Sequence, residues 1–208
     1  EDLRPDVYSH SSIRNLYLDT PDFRLIRRSL EKPVYKEKLR LRSYGRTERD
    51  SPVFMELKKK YRSIVYKRRL TLPYDRALDC LTGACPWPET QIGGEIRYTV
   101  DFYPDLESRV FLAYERDSWL APESGLRITF DDAIRFRTEE LTLDSDPWGT
   151  ALLGPDQVLM ELKAPGAIPL WMVRLLTEMR LYKTSFSKYG TAYQLLLERE
   201  WKGGKRYA

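Results

Sequence analysis

Four short segments of the chain set cationic side chains at alternate positions beside an apolar row. They are Lys38-Leu39-Arg40-Leu41-Arg42, Glu56-Leu57-Lys58-Lys59-Lys60, Val65-Tyr66-Lys67-Arg68-Arg69 and Leu159-Met160-Glu161-Leu162-Lys163. Successive side chains of a strand point to opposite faces, so each segment builds one face of ammonium and guanidinium groups and one that packs on apolar neighbours. Charge placed only for solubility would not keep period two in four separate strands. The cationic face, with Lys38, Arg40, Arg42, Lys58, Lys67, Arg69 and Lys163, must converge on something anionic inside a closed or strongly curved sheet with a polar lumen. A chain of phosphates fits. Guanidinium forks bind two oxygens at once and polyphosphate carries about one charge per phosphorus, so such a row forms strong charge-assisted bonds in a water-poor tunnel. Glu56 and Glu161 share faces with Lys58 and Lys163. Each carboxylate either holds Mg²⁺ or Mn²⁺ against phosphate oxygens or neutralises the neighbouring lysine. For Glu56 the salt bridge is the preferred reading.

The elements that position these groups follow from periodicity. Ile13 to Leu18 alternates and ends at the turn signal Asp19-Thr20-Pro21-Asp22, followed by a helical turn or two over Phe23 to Leu30. Val34 to Tyr44, Val53 to Lys60 and Ile64 to Leu72 read as a β-meander with short connections, closed by Pro73. Tyr74 to Leu81 and Ile92 to Tyr103 have helical spacing, separated by Pro86-Trp87-Pro88. Arg109 to Asp117 and Gly125 to Asp131 return to alternation, Ala133 to Arg137 reads as a further short strand, and Gln157 to Lys163 is the last strand. Pro169 to Arg180 carries Leu170, Val173, Leu176 and Met179 at helical spacing. A final helix, capped by Thr184 or Ser185, places Lys188 in its first turn and lines Tyr189, Tyr193 and Leu196 along one side. The tail Lys202 to Arg206 is expected to fray.

Composition narrows the classes. The chain has 208 residues, 42% hydrophobic and 32% charged, with a formal net charge of only +4, so it is read as one compact domain and not as a polycation that coats nucleic acid. No run of about 18 apolar residues is present and the first residues lack secretory character, which predicts a cytoplasmic protein without a membrane segment. Cys80 and Cys85 read as reduced, partly buried thiols, and with a single histidine, His10 in an irregular amino-terminal stretch, they form neither a zinc set nor a hydrolase triad. Arg68, Lys59 and Lys60 read as a solvated strand edge, and the five tryptophans as packing rather than base-stacking platforms.

The segments Asn15-Leu16-Tyr17-Leu18-Asp19-Thr20-Pro21-Asp22-Phe23, Lys38-Leu39-Arg40-Leu41-Arg42-Ser43-Tyr44-Gly45, Val53-Phe54-Met55-Glu56-Leu57-Lys58 and Ser185-Phe186-Ser187-Lys188-Tyr189-Gly190 resemble the VTC domain. This is the bacterial branch of the polyphosphate polymerase domain family, within the triphosphate tunnel metalloenzymes. The resemblance runs in order from about Ile13 to Leu197. It implies an α+β fold in which an antiparallel β-barrel, the triphosphate tunnel, is flanked by helices, two of them carboxy-terminal. It also implies a tunnel for nucleoside triphosphate such as ATP and for inorganic polyphosphate, with a divalent metal, Mn²⁺ or Mg²⁺, at Glu161. By the same resemblance Arg40 and Arg42 grip phosphate, Lys58 and Lys67 stand on the next two strands, Arg116 and Arg127 are later tunnel arginines, and Lys188 reaches the polymer. Arg40, Arg42, Lys58 and Lys188 form the implied catalytic set. Arg116 is flanked by Glu115 and Asp117, and an ion pair would explain it equally well. Family members normally begin with a further strand and helix carrying an R-x-E-x-K motif, which the numbered chain does not contain.

Three function classes follow. The first is transfer of a nucleotide γ-phosphoryl group onto a polyphosphate chain, which needs positioning and charge neutralisation more than covalent chemistry from protein. The second is triphosphate hydrolysis or nucleotide cyclisation in the same tunnel. The third is a non-catalytic polyphosphate-binding module. Nucleic acid is disfavoured, because a tunnel cannot admit a duplex and the basic strands lack interleaved aromatics on their basic face.

Overall fold

A computed structural model of the protein describes residues 2–204. The elements run β1 (Arg4–Asp19), α1 (Arg24–Leu30), β2 (Tyr35–Tyr44), β3 (Pro52–Tyr61), β4 (Ile64–Pro73), α2 (Tyr74–Thr82), α3 (Gln91–Phe102), β5 (Glu107–Ala121), β6 (Leu126–Arg137), β7 (Thr150–Ala151), β8 (Leu159–Lys163), α4 (Leu170–Glu178) and α5 (Lys188–Gly204). The strands form one antiparallel sheet in the order β4-β3-β2-β1-β5-β6-β7, with β8 also paired to β6.

The sheet is not a closed barrel, contrary to the sequence expectation. Among the described residues β4 pairs only with β3, and β7 and β8 share the single outer edge of β6 without bonding to β4. Closure requires two long edges in register, and this edge offers two residues of β7 and five of β8. The sheet nevertheless curls. The adjacent residues Ser187 and Lys188 contact Lys38 on β2 and Asp131 on β6, strands that lie three spacings apart, or about 14 Å if flat.

Alternation separates the two faces as predicted. Leu39, Leu41, Val53, Met55, Leu57 and Leu72 are buried with Leu16, Leu18, Phe111 and Ala113 beneath α2 and α3. Further along this face, Ala121, Leu126 and Ile128 pack under Met172 of α4. The opposite face carries the charges and is covered at one end by α1 and α5, through Ile13, Tyr17, Ile26, Leu112, Tyr114, Phe136 and Tyr189.

Several local expectations are corrected. His10 is not in an irregular stretch, since β1 extends back to Arg4 and His10 lies opposite Asp117. Asp131 and Ala133 do not belong to separate strands. One strand, β6, continues through a bulge at Ala133, whose φ is 45°, with a register shift against β5 between Ala113 and Glu115. The bulge changes side-chain parity, so Asp131 faces the charged side together with Ile134 and Phe136. The last helix is capped by Ser187, not Thr184 or Ser185: Ser187 Oγ accepts the Gly190 N–H at 3.2 Å. Lys205 and Arg206 of the predicted frayed tail lie outside the described residues.

The thiol reading matches. Cys80 and Cys85 are free thiols with their sulfurs 3.0 Å apart. The reading of Arg68, Lys59 and Lys60 as a solvated strand edge is corrected: Arg68 is partly buried and pairs with Glu95 of α3 at 2.8 Å, while Lys59 and Lys60 lie on β3, an interior strand. Not every buried cation belongs to the charged face. Arg137 stacks between Phe111 and Trp148 and donates to the carbonyls of Glu139, Glu140, Asp146 and Trp148, tying down the loop before β7. No helix among the described residues is long and apolar enough to cross a membrane.

The face assignment has a direct test. Leu41 is 1% exposed beneath α2 and α3. Leu41→Ala is therefore expected to lower unfolding stability by about 2–5 kcal/mol in a urea titration.

Candidate functional site

The strand registers turn the predicted cationic face into cross-strand rows. One row reads Val110-Tyr17-Arg40-Glu56-Arg69 across β5, β1, β2, β3 and β4. The next reads Phe136-Leu112-Asn15-Arg42-Phe54-Thr71. On the other side of the first, Lys38, Lys58 and Lys67 stand directly opposite one another on β2, β3 and β4. Beyond β5 the same face presents Arg116 beside Asp131, Thr129 beside Glu161, and Arg127 beside Lys163.

Glu56 is the anchor of the first row. Its Oε2 accepts Arg40 Nε at 2.7 Å and lies 3.7 Å from Arg42 Nε, while Oε1 accepts Arg69 Nε at 2.8 Å. Glu56 is an ion-pair partner as preferred, but of Arg40, Arg42 and Arg69 and not of the expected Lys58. Burial alone would push this carboxyl up, but the Arg40 and Arg42 charges outweigh it and hold the pKa at about 2. Arg40 also donates to the Tyr17 hydroxyl at 3.1 Å, and Arg42 donates to Asn15 Oδ1 at 2.9 Å and to the Tyr114 hydroxyl at 3.2 Å.

A second carboxylate, Asp131, organises the far side. It accepts both Nε and a terminal nitrogen of Arg116, at 2.6 and 2.8 Å, and pairs with Lys188 of α5. Both cations lie over the Tyr114 ring. The predicted alternative of an ion pair for Arg116 is thus present, but its partner is Asp131: Glu115 accepts from Ser12 and Asp117 meets His10.

The remaining predicted residues divide into partnered and unpartnered. Lys38 Nζ donates to Ser187 Oγ at 2.9 Å, Arg127 pairs with Asp6 at 2.8 Å, and Glu161 lies 3.2 Å from Lys163 with both half exposed. Lys58 and Lys67 have no hydrogen-bond or ion-pair partner among the described residues. Desolvation by the surrounding side chains, then the charges of Lys67 and Arg40, lower the Lys58 pKa. Glu161 of β8 also acts electrostatically on Lys58 of β3. Those strands would be five spacings or about 24 Å apart in a flat sheet, well beyond the range of screened charges, so the curl brings the outer strands to face one cleft.

Sequence reasoning missed Asp131 and the tyrosines. Tyr17 is buried, stacks on Tyr189 at 4.3 Å and is hemmed by cations: burial raises its pKa, yet Arg40, Lys38 and Arg42 outweigh that and lower it. Tyr189 in turn donates to Asp19 at 2.9 Å, and Asp19 caps α1 through the backbone N–H groups of Leu25 and Ile26. The available signal was the parity of Tyr17 with Asn15 in the strand, and of Asp131 with Arg127 and Thr129.

Metal capacity is narrow. No group of three or more His, Cys, Asp or Glu side chains able to hold a metal occurs among the described residues. A divalent ion bound through one carboxylate and substrate phosphates needs no such cage, and a half-exposed Glu161 on the cleft fits that donor set.

The ion pairing of Glu56 sets a pH signature. Its carboxyl titrates near 2 in the fold against an ordinary value of 4.5, so its contribution is complete above pH 4.5 and is lost as pH falls toward 2. Wild-type protein is expected to lose about 3 kcal/mol of stability from this group over that interval. Thermal melts of Glu56→Gln are expected to have a correspondingly flatter acid limb.

Comparison with known proteins agrees with this architecture. No curated protein matches the sequence. A crystal structure of a Bacillus halodurans protein, described provisionally as an adenylate cyclase, is similar in fold, with a TM-score of 0.51 and 14% identity over 88% of this chain and 81% of that one. The profile of the VTC domain matches residues 1–197. The chain thus belongs to the VTC domain family.

Proposed function

We propose that the protein is a metal-dependent phosphotransferase that binds a nucleoside triphosphate and inorganic polyphosphate along its cationic cleft and passes the γ-phosphoryl group to the polyphosphate end. The observation that carries this reading is the row Lys38-Lys58-Lys67, in which Lys58 and Lys67 stand opposite each other without an anionic partner among the described residues. Like charges directly opposite in a sheet destabilise it. A row kept at that cost, beside the guanidinium groups of Arg40 and Arg42, is suited to a ligand carrying about one charge per phosphorus.

In this reading Arg40, Arg42, Lys58 and Lys188 face the reacting phosphates. Lys38, Lys67, Arg69, Arg116, Arg127 and Lys163 hold the rest of the chain. Glu161 holds Mn²⁺ or Mg²⁺ together with phosphate oxygens, exchanging its contact with Lys163. The bound metal would supply charge neutralisation at the transferred group. The protein's own share is positioning: Glu56 fixes the Arg40 guanidinium and Tyr17 receives one of its N–H groups. The chemistry asks for no protein nucleophile, and the cleft's charged groups suit stabilisation of charge on equatorial oxygens.

Two measurements test the proposal. Purified protein with Mn²⁺, ATP and a tripolyphosphate primer, followed by phosphorus NMR, is expected to yield ADP and lengthened polyphosphate. Orthophosphate alone would assign a hydrolase and a cyclic nucleotide a cyclase, while no reaction together with no binding would end the phosphate reading. In the second, Lys58→Gln is expected to weaken tripolyphosphate affinity about tenfold or more, from loss of a charge-assisted contact of about 1.5–3 kcal/mol. The melting temperature of the ligand-free variant is expected to stay level or rise, because the repulsion with Lys67 is gone.

A further inference from the structure

Asp131 is fully buried, and it lies on the charged face in parity with Arg127 and Thr129, while the bulge at Ala133 brings Ile134 and Phe136 onto the same face beyond it. It is bonded to two cations from different elements. Arg116 comes from β5 and engages both carboxylate oxygens, while Lys188 is the first residue of α5 and pairs with Oδ2. Each cation is mostly buried, with side-chain exposures of 17% and 14%.

Lys188 has an awkward location without this partner. A helix N-terminus carries partial positive charge and disfavours a cation in its first turn, and the Arg116 charge adds to that repulsion. Asp131 offsets both. It does so without consuming the donors: a guanidinium has five N–H groups and an ammonium three. The bidentate contact takes two from Arg116 and the other contact one from Lys188. Tyr114 supports the pair, since its ring lies under both cations, at 5.3 Å from Arg116 Cζ and 4.5 Å from Lys188 Nζ, and its hydroxyl accepts from Arg42.

We infer that Asp131 is a positioning residue of the phosphate site, a built-in counter-ion that holds Arg116 and Lys188 together across β5 and α5 so that their free N–H donors address the same phosphate. The inference rests on the phosphotransfer reading above. It differs from a purely structural ion triad in what its loss does. Removing the charge leaves two unneutralised cations that still attract an anion but no longer hold it in one geometry. Binding persists and turnover falls, because a misplacement of about 1 Å can cost about a hundredfold in rate.

The experiment compares wild type, Asp131→Asn and Asp131→Glu for tripolyphosphate affinity by calorimetry, ATP-dependent turnover with Mn²⁺, and melting temperature. For Asp131→Asn the expectation is a kcat lowered at least tenfold, with tripolyphosphate Kd within about threefold of wild type or tighter. If Asp131→Asn does not fold, Asp131→Glu keeps the charge and moves it by one methylene, and the same split between kcat and Kd is expected in a folded protein. An unchanged kcat in whichever variant folds, or a parallel loss of affinity, turnover and melting temperature, overturns the inference while the parent reading stands on wild-type activity. A wild type that neither binds nor turns over overturns the parent reading and this one with it.

Discussion

Crowding cations on one face of a curled sheet is eased where carboxylates divide them into neutralised groups, and two water-shielded side chains each gather more than one cation here, beside the more exposed pairs Asp6–Arg127 and Glu161–Lys163. Glu56 sits among Arg40, Arg42 and Arg69, and Asp131 between Arg116 and Lys188. Both are shielded from water, so their attraction to the surrounding charges is strong, and each would be costly to leave unpaired. What remains after this partition is the Lys38-Lys58-Lys67 row, where among the described residues the only polar partner found is the Ser187 hydroxyl. Neutralisation is thus uneven across the cleft. The arginines are fixed in direction, whereas the opposed lysines keep unpaired charge.

The same partition explains the gradient of exposure. Arg42, Asp131, Tyr17 and Tyr114 are buried near β1 and β5, while Lys58, Lys67 and Arg69 on one side and Arg127, Glu161 and Lys163 on the other are exposed. An open edge between β4 and β8 leaves those outer groups in contact with solvent. The helix α5 closes the opposite end through a chain of contacts: Tyr189 stacks on Tyr17 and bonds Asp19, and Asp19 holds the start of α1. The segment Tyr17-Leu18-Asp19-Thr20 therefore serves packing and site at once, one residue facing the cleft and the other pinning the helix that covers it.

Much of this was legible in alternation alone. Leu39, Leu41, Val53, Met55 and Leu57 are buried on the side opposite Arg40 and Lys58, because period two leaves a strand little choice when one face meets helices. That Glu56 forms an ion pair was also readable, but its partners were not: the expected Lys58 gives way to Arg40, Arg42 and Arg69, which strand pairing brings alongside. The partner of Arg116 was not: neighbours in sequence, Glu115 and Asp117, project away from it, and the carboxylate it meets is brought in by pairing with β6. Nor was β6 readable as one strand, because the bulge at Ala133 breaks the alternation that identifies a strand. The cap of α5 was misplaced by two residues for a similar reason, as Thr184, Ser185 and Ser187 are all competent caps and only the path of the chain over Lys38 selects Ser187.

By itself, the sequence determined which side chains are cationic, which strands carry them and which face each occupies, because these depend only on residue type and strand parity. The tertiary structure decided which cations are neutralised, by which carboxylates, and whether the sheet closes. Those outcomes depend on distances between groups far apart in the chain, such as Asp131 and Lys188 or Glu161 and Lys58, and on the lengths of edge strands in space. Coulomb interactions follow separation and burial rather than order along the backbone, so no reading of local pattern could have set them.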